Sequence, residues 1–485
     1  MESIQSIEAL LDFVCAHQHE DVDRLLLSAA KYPDVDMPTA VDQLLARRQL
    51  KDKLPAWEAN DRLFYPSRIA AEQCSSERTA AYKQRLVGEE ERLCDLTGGM
   101  GVDSFYFSRK VKQVTYVERF ASYCEAARHN FAALEATNIE VVNGDSTAYL
   151  ERMGEVDVCY LDPARRGEAG KRVFALSDCE PDLTQLLPAL FRKAPRVIAK
   201  ISPMADISFT LNLLPQTVEV HVVAVRGECK ELLFVLERDR EVENPKLHCV
   251  HFTTDGEELF DFTLAEERAA TECVADALGV YLYEPNVSIL KAGAFKVMAA
   301  RMGVEKLHVN SHLYTSNEEV ATFPGRRFRI EEVIPFHGKD CKHLSRRLPQ
   351  ANLTVRNFPL NVNELRKRLK IAEGGAQYLF ATTLRGDEKV LIRCVKTTEK
   401  FEKGEISSQK IANTFAGLGI PAGTVGMLVA VYWFMMLIGR FVGASIGGKV
   451  SSRKMITTVS LVTIALVLFG IFAPNFTDAT VSFPG

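Results

Sequence analysis

Several features common in other protein classes are missing from this 485-residue chain. Its eleven cysteines never fall into CxxC pairs. Cys341 with His343, and Cys249 beside His248 and His251, are too sparse for zinc-ligand spacing, so no metal is expected. A surplus of positive charge is also missing. There are 59 Lys and Arg against 63 Asp and Glu, a net charge of −4. That excludes a general attraction to nucleic acid, and any such binding must come from a local patch. Internal repeats and low-complexity tracts are absent, which excludes a solenoid. The opening "MESIQSIEALLDF" is acidic and amphipathic and lacks the basic start and apolar stretch of a signal peptide. A reduced, cytoplasmic setting is the resulting expectation.

Hydrophobic residues make up 47% of the chain, an ordinary globular share, and the length suggests about three domains. Residues 1–88 show helical spacing in "SIEALLDFV" and "AVDQLLARRQL", and "CSSERTAAYKQRL" offers a serine cap to a further helix. From 89 to 240 short apolar strands alternate with helical stretches. The strands read as "RLCD", "VTYVE", "IEVVNGD", "VDVCYLD", "RVIAKIS", "VEVHVVAV" and "KELLFVLE". Such alternation predicts a doubly wound parallel α/β sheet. Only "RGEC" separates the last two strands, too little for a crossover, so they form an antiparallel hairpin. Residues 245–397 read as two small α+β modules, the first beginning with a strand at "HCVHFT". A polar linker follows at 398–423. The tail, 424–485, holds two apolar runs, 426–447 and 455–473, each long enough to span a bilayer.

The stretch "RLCDLTGGMGVDSF" (92–105) closes a strand with an acid and follows it with glycines and a helix. Gly98, Gly99 and Gly101 let the backbone approach a ligand closely. Gly99-x-Gly101-x-x-Ser104 comes near the dinucleotide pattern but lacks its third glycine or alanine. Asp95 closes the first strand, where a carboxylate suits a cationic group better than a pyrophosphate. Glu118 closes the second and is placed to take ribose hydroxyls, and Asp145, with Ser146 beside it, is placed to accept from an adenine amino group. Thr97 and Asp103 within the glycine stretch are further candidates. Ribose, adenine and a cationic amino-acid tail together describe S-adenosyl-L-methionine.

The motifs "DLTGGMG" (95–101), Glu118, "GDS" (144–146) and "DPAR" (162–165), with the terminal hairpin, resemble those of class I S-adenosylmethionine-dependent methyltransferases. The resemblance implies the seven-stranded sheet of that class over 89–240, with a helical N-terminal region at 1–88. The region 245–325 resembles a ferredoxin-like module and 326–397 a THUMP-like one, as carried by a bacterial methyltransferase family. That family also has stretches similar to "QCSSERTAAYK" (73–83). The tail resembles a fragment of a major facilitator transporter near "GRFVGASIGGKVSSRK" (439–454). Two helices cannot make that fold, and Lys449, Arg453 and Lys454 between them conflict with a cytoplasmic enzyme ahead of the first span. A fused or misjoined reading frame is expected, with a genuine two-helix membrane anchor as the alternative.

Asp162, Pro163, Arg165 and Lys200 are the candidate catalytic residues. Proline removes a backbone donor beside Asp162, which is placed to hold an amine or a ring nitrogen. Related amino-methyltransferases have a second proline and an aromatic where this chain has Ala164 and Arg165, so base stacking at that position is lost. Related RNA carbon-5 enzymes use a cysteine after the fifth strand. Here Ser202 stands in "KISP", which disfavours that chemistry and favours transfer to nitrogen. Lys200 is read as an electrostatic or base residue.

Between 323 and 370 there are twelve basic residues, Arg326, Arg327, Arg329, Lys339, Lys342, Arg346, Arg347, Arg356, Arg366, Lys367, Arg368 and Lys370. Only four acids accompany them, Glu331, Glu332, Asp340 and Glu364, a surplus of eight. Such a patch suits RNA phosphates. The leading expectation is therefore methylation of an RNA base at nitrogen. The rivals are a small-molecule or protein methyltransferase, and an RNA-binding protein with an inactive site.

Overall fold

Nine strands form one large sheet. They are β1 (Arg92–Asp95), β2 (Gln113–Glu118), β3 (Ile139–Asn143), β4 (Val158–Leu161), β5 (Arg196–Ile201), β6 (Thr217–Val225), β7 (Glu228–Glu237), β8 (Lys246–Phe252) and β9 (Glu257–Thr263). Their order is β9-β8-β6-β7-β5-β4-β1-β2-β3. The computed structural model describes residues 2–165, 179–337 and 344–397. The expected linker and both apolar runs of the tail lie outside the described residues, as do Lys339, Lys342, Cys341 and His343. Among the described residues no helix is long and apolar enough to cross a membrane.

The central strands are apolar on both faces, as a sheet covered by helices on each side requires. All four residues of β4 are buried. β1, β2, β3, β4 and β5 pair in parallel, whereas β7 runs antiparallel between β5 and β6. The β6–β7 hairpin turns at Arg226 and Gly227, both at positive φ, as a tight right-twisting turn demands. These seven strands reproduce the expected class I methyltransferase sheet.

The sheet then continues where the sequence suggests a new module. β8 pairs in parallel with β6 along its whole length, from Lys246↔Glu219 to Phe252↔Val225, and β9 pairs back on β8. The strand at "HCVHFT" thus belongs to the large sheet and not to the ferredoxin-like module. Alternation of apolar and polar residues in β8 gives the same signal in either location, so only pairing distinguishes them.

The N-terminal helices are α1 (Glu2–Ala16), α2 (Val22–Leu27), α3 (Met37–Leu50), α4 (Pro55–Glu58), α5 (Arg68–Gln73) and α6 (Glu77–Lys83). Asp21, Asp36, Ser67 and Ser76 cap four of them by accepting backbone N–H bonds. Trp57, Leu63 and Tyr65 pack with Met100, Val102 and Tyr106, so this region rests directly on the glycine stretch and on α7 (Val102–Ser108). The buried Asn130 of α8 (Ala121–Ala133) fastens it further. Its Nδ2 donates to the Phe64 carbonyl at 2.7 Å, and its Oδ1 accepts from the Phe64 N–H at 2.8 Å.

The C-terminal part builds a second sheet from β10 (Tyr281–Pro285), β11 (Glu305–Lys306), β12 (Tyr314–Ser316), β13 (Gly325–Pro335), β14 (Asn352–Val355), β15 (Gln377–Thr383) and β16 (Lys389–Lys396). The order is β11-β12-β10-β13-β16-β15-β14. The two expected α+β modules therefore share one continuous sheet, joined where β10 pairs with β13. Tyr283, Met298 and Phe323 pack into the same apolar cluster as Val220, Phe234 and Leu247 of the large sheet.

Replacing Asn130 with Ala leaves both Phe64 backbone groups without their partner. A loss of about 2 kcal/mol in stability is expected, read as a lowered thermal midpoint, with the sheet's circular dichroism retained.

Candidate active site

The turn after β1 is built around one ring. A Cβ placed on Gly98 would lie 2.2 Å from the Tyr116 ring, so only glycine fits there. The Tyr116 hydroxyl donates to the Gly99 carbonyl at 2.6 Å, and the Gly98 N–H donates to Val117 of β2 at 2.9 Å. Gly101, at φ 81°, turns the chain into α7. Glu118 closes the arrangement: its Oε2 accepts from the Gly99 N–H at 3.0 Å and its Oε1 from the Phe120 N–H at 2.9 Å. Asp145 caps α9 (Ser146–Arg152), accepting through Oδ1 from the N–H groups of Thr147 and Ala148.

These groups open onto one cleft of about 790 Å³. It is lined by Asp95, Thr97, Gly98, Gly99, Gly101, Asp103, Glu118, Asp145, Ser146, Asp162 and Lys200. The structure thus brings together eleven of the thirteen residues singled out from the sequence. Pro163 is half-buried beside Asp162 and is outside the lining. The Arg165 backbone pairs with Cys179 in a two-residue ladder.

Two carboxylates differ from the sequence expectation. Asp95 does not face a ligand with a free carboxylate. It is 1% exposed, its Oδ2 accepts from Ser104 Oγ at 2.6 Å, and its Oδ1 accepts from the Thr97 N–H at 3.0 Å. Burial pushes its pKa up to about 7, against the smaller opposing effect of those bonds. Asp95 is therefore a peg inside the turn. Asp103 points into the protein, where it accepts from Ser75 Oγ at 2.9 Å, Lys83 Nζ at 2.9 Å and the Tyr160 hydroxyl at 2.7 Å. Burial alone would raise it, but Lys83 and Lys200 outweigh burial and hold it down at about 2.

Asp103 belongs to a chain of charges leading to the cleft. Lys83 Nζ, with a side chain 0% exposed, also donates to Glu231 Oε2 at 3.0 Å. Glu231 lies 4.0 Å from Lys200 Nζ, which donates to Asp162 Oδ2 at 2.5 Å. Side-chain exposure rises along this path from 0% at Lys83 and 3% at Glu231 to 14% at Lys200 and 38% at Asp162. Burial alone would lower the Lys200 pKa, but Asp162, Asp103 and Glu231 together raise it above the ordinary lysine value. Lys200 thus sits among three carboxylates. Thr97 connects the two halves of the site by accepting from the Asp162 N–H through Oγ1 at 2.6 Å.

Sequence reasoning missed Ser75, Lys83 and Glu231. Their signal was faint: a lysine ending the "ERTAAYK" helix, and an acid at the start of the otherwise apolar run of β7. It also passed over Phe120 and Tyr123, which line the cleft just beyond Glu118. Phe120 is 51% exposed, and Arg119 beside it reaches Glu180 on the opposite rim at 3.0 Å.

Lys83→Met should cost about 3–5 kcal/mol in chemical denaturation, because Asp103 and Glu231 would stay buried without their shared cation. The pH dependence follows from two opposite shifts. Asp103, held at about 2, contributes stability above pH 4 that is lost as pH falls through 2. Asp95, raised to about 7, contributes stability at low pH that is lost as pH rises from 4 through 7. Asp95→Asn should therefore flatten the stability profile between pH 4 and 7, measured by denaturant midpoints at each pH.

Comparison with known proteins agrees with this architecture. A ferredoxin-like domain model matches residues 281–324, and a THUMP domain-like model matches 325–396. No curated protein matches. A crystal structure from Porphyromonas gingivalis W83, assigned as a methyltransferase, is 38% identical, with a TM-score of 0.76, over 81% of this chain and 99% of that one. Precorrin 8W decarboxylase of Methanobacterium thermoautotrophicum matches 39% of this chain and 87% of its own at 12% identity and a TM-score of 0.26. An rRNA methylase of Streptococcus thermophilus matches 33% and 93% at 12% identity and a TM-score of 0.25. With its class I sheet, its two C-terminal modules and its near-complete coverage of the Porphyromonas gingivalis protein, the chain belongs to that protein's class I methyltransferase family.

Proposed function

We propose that the chain transfers a methyl group from S-adenosyl-L-methionine to a nitrogen of an RNA base. The observation that carries the reading is the cleft in which the glycine turn, Glu118, Asp145 and the Asp162–Lys200 pair converge. Its donor set suits a nucleoside without phosphates. Glu118 and Asp145 border the cleft next to the turn, from which α7 begins. Bound there, S-adenosylmethionine would supply an electrophilic methyl group. Glu118 is placed to take ribose hydroxyls, Asp145 to accept an amine through its second oxygen, and Phe120 to offer a face for stacking.

Asp162 is the residue for the acceptor. Lys200 occupies its Oδ2 and Thr97 holds its backbone, which leaves Oδ1 to accept a hydrogen bond from an amine and align the nitrogen lone pair with the methyl. Because Lys200 stays charged, it steadies the Asp162 carboxylate and takes no proton. Methyl transfer to nitrogen asks for this positioning and for the loss of one proton, not for a strong acid.

The RNA part of the reading rests on the THUMP-like module and its basic residues. Several of these are already matched: Arg326 and Arg356 by Glu284, Arg347 by Glu332, Arg329 by Glu331 and Arg366 by Glu373. Lys367 and Lys370, on and just beyond the helix Val362–Leu369, have no ion-pair partner among the described residues and are the better phosphate contacts. The same pairing favours a second reading, in which the basic residues serve assembly and the acceptor is a small molecule or a protein. We place the domain limits at 1–88, 89–263, 281–324 and 325–396, moving the two catalytic-sheet extensions out of the ferredoxin-like module.

Asp162→Ala should lower turnover by at least about 100-fold while calorimetry with S-adenosylmethionine gives an unchanged affinity. Labelled methyl transfer to total cellular RNA, followed by nucleoside analysis, tests the acceptor. Label in a base that disappears after RNase treatment is the expected result. Label that survives RNase selects the second reading, and no heat with S-adenosylmethionine removes the enzyme assignment.

A further inference from the structure

A second cluster of chemically capable side chains lies away from the cleft, on the face of the large sheet covered by α6. His221 of β6 and His248 of β8 stand opposite one another in the parallel ladder, and Glu219 precedes His221 by two residues on the same face. One ring nitrogen from each of His221 and His248 and a Glu219 oxygen all fall within 4.8 Å of one another. None of the three residues lines the cleft.

Both rings are held by their other nitrogen. The Tyr82 hydroxyl of α6 meets His221 Nδ1 at 2.8 Å, and Asp261 Oδ1 of β9 meets His248 Nδ1 at 2.9 Å. Such outer partners set the tautomer of a metal-binding imidazole and leave Nε2 as the ligand atom. His248 Nε2 is buried and has no hydrogen-bond partner among the described residues. Glu219 Oε2 and His221 Nε2 share a hydrogen bond at 3.3 Å that a metal would replace, and that separation is about the ligand-to-ligand edge of a tetrahedron with metal distances of about 2.0–2.1 Å.

We propose that Glu219, His221 and His248 form a binding site for a divalent transition metal of the zinc or cobalt type. Two neutral imidazoles and one carboxylate suit such an ion better than magnesium or calcium, which prefer all-oxygen sites. The two rings stack with their centroids 4.5 Å apart. They lie nearly parallel, 9° apart, so capture turns one imidazole until the two lone pairs converge. The Glu219 side chain is 44% exposed, which gives the ion a path from solvent and leaves room for water as a further ligand. The ion would join β6 to β8 and, through Tyr82, fix the N-terminal helices to the sheet extension.

The untagged full-length chain, stripped with a chelator, is titrated with cobalt(II) and zinc(II), followed by calorimetry and visible absorption. One equivalent of cobalt should bind with the intense visible bands of tetrahedral coordination and be displaced by one equivalent of zinc. His248→Gln and Glu219→Gln alter partly exposed side chains and should preserve the fold, checked by circular dichroism. Each should weaken zinc at least tenfold and remove the tetrahedral bands. The chain's cysteines offer other places for zinc, and the variants separate those from this one. If the wild-type chain binds no stoichiometric metal, or if both variants bind it as tightly as the wild type, the site does not exist.

Discussion

Lys83 carries a positive charge to a place where its side chain has no access to water, and that charge requires matching. Asp103 and Glu231 supply the match from α7 and from β7, 20 and 148 residues away. The N-terminal helices, the helix after the glycine turn and the antiparallel strand of the sheet therefore meet at a single ammonium group. Lys200 lies next to the same Glu231 and ends the path at Asp162. The orientation of Asp162 thus depends on a helix that sequence reading treats as a separate region. An assembly of this kind need not add net stability, since burying charged groups is expensive. What it enforces is registry, because any displacement of α6 from the sheet would leave bare charges in the interior.

Much of the site was legible because it follows the strand–turn–helix rule. Asp95, Glu118 and Asp145 were found by reading where short apolar runs stop, and open α/β sheets place ligands at those tips. The structure gathers all three at one cleft, with Asp95 buried against Ser104. Whether a carboxylate faces solvent or a nearby serine depends on the path of α7, and Ser104 is read in the sequence only as a missing glycine. Asp103 shows the same limit more strongly. Its partners, Lys83, Ser75 and Tyr160, come from three separate elements, and no local spacing announces them.

The fold divides similarly. Strands buried on both faces identify themselves by composition, and the β6–β7 hairpin by a loop too short for a crossover. The membership of β8 does not, since it alternates as a strand of either sheet would. The sharing of one sheet by the ferredoxin-like and THUMP-like modules is likewise a matter of which edges meet. β10 has three residues paired with β12 and five with β13, a partnership set by tertiary packing.

The pairing of β8 with β6 bears on where this protein can be divided. At residue 240, just past β7, the chain looks ready to end, with a polar stretch before the next apolar run. A fragment stopped there would present β6 as a naked margin along seven paired positions, flanked by Val220, Val222 and Val223. Such a margin invites the same margin of another copy. β8 and β9 are sewn to the methyltransferase sheet by backbone, so the smallest piece that leaves β6 covered extends through β9.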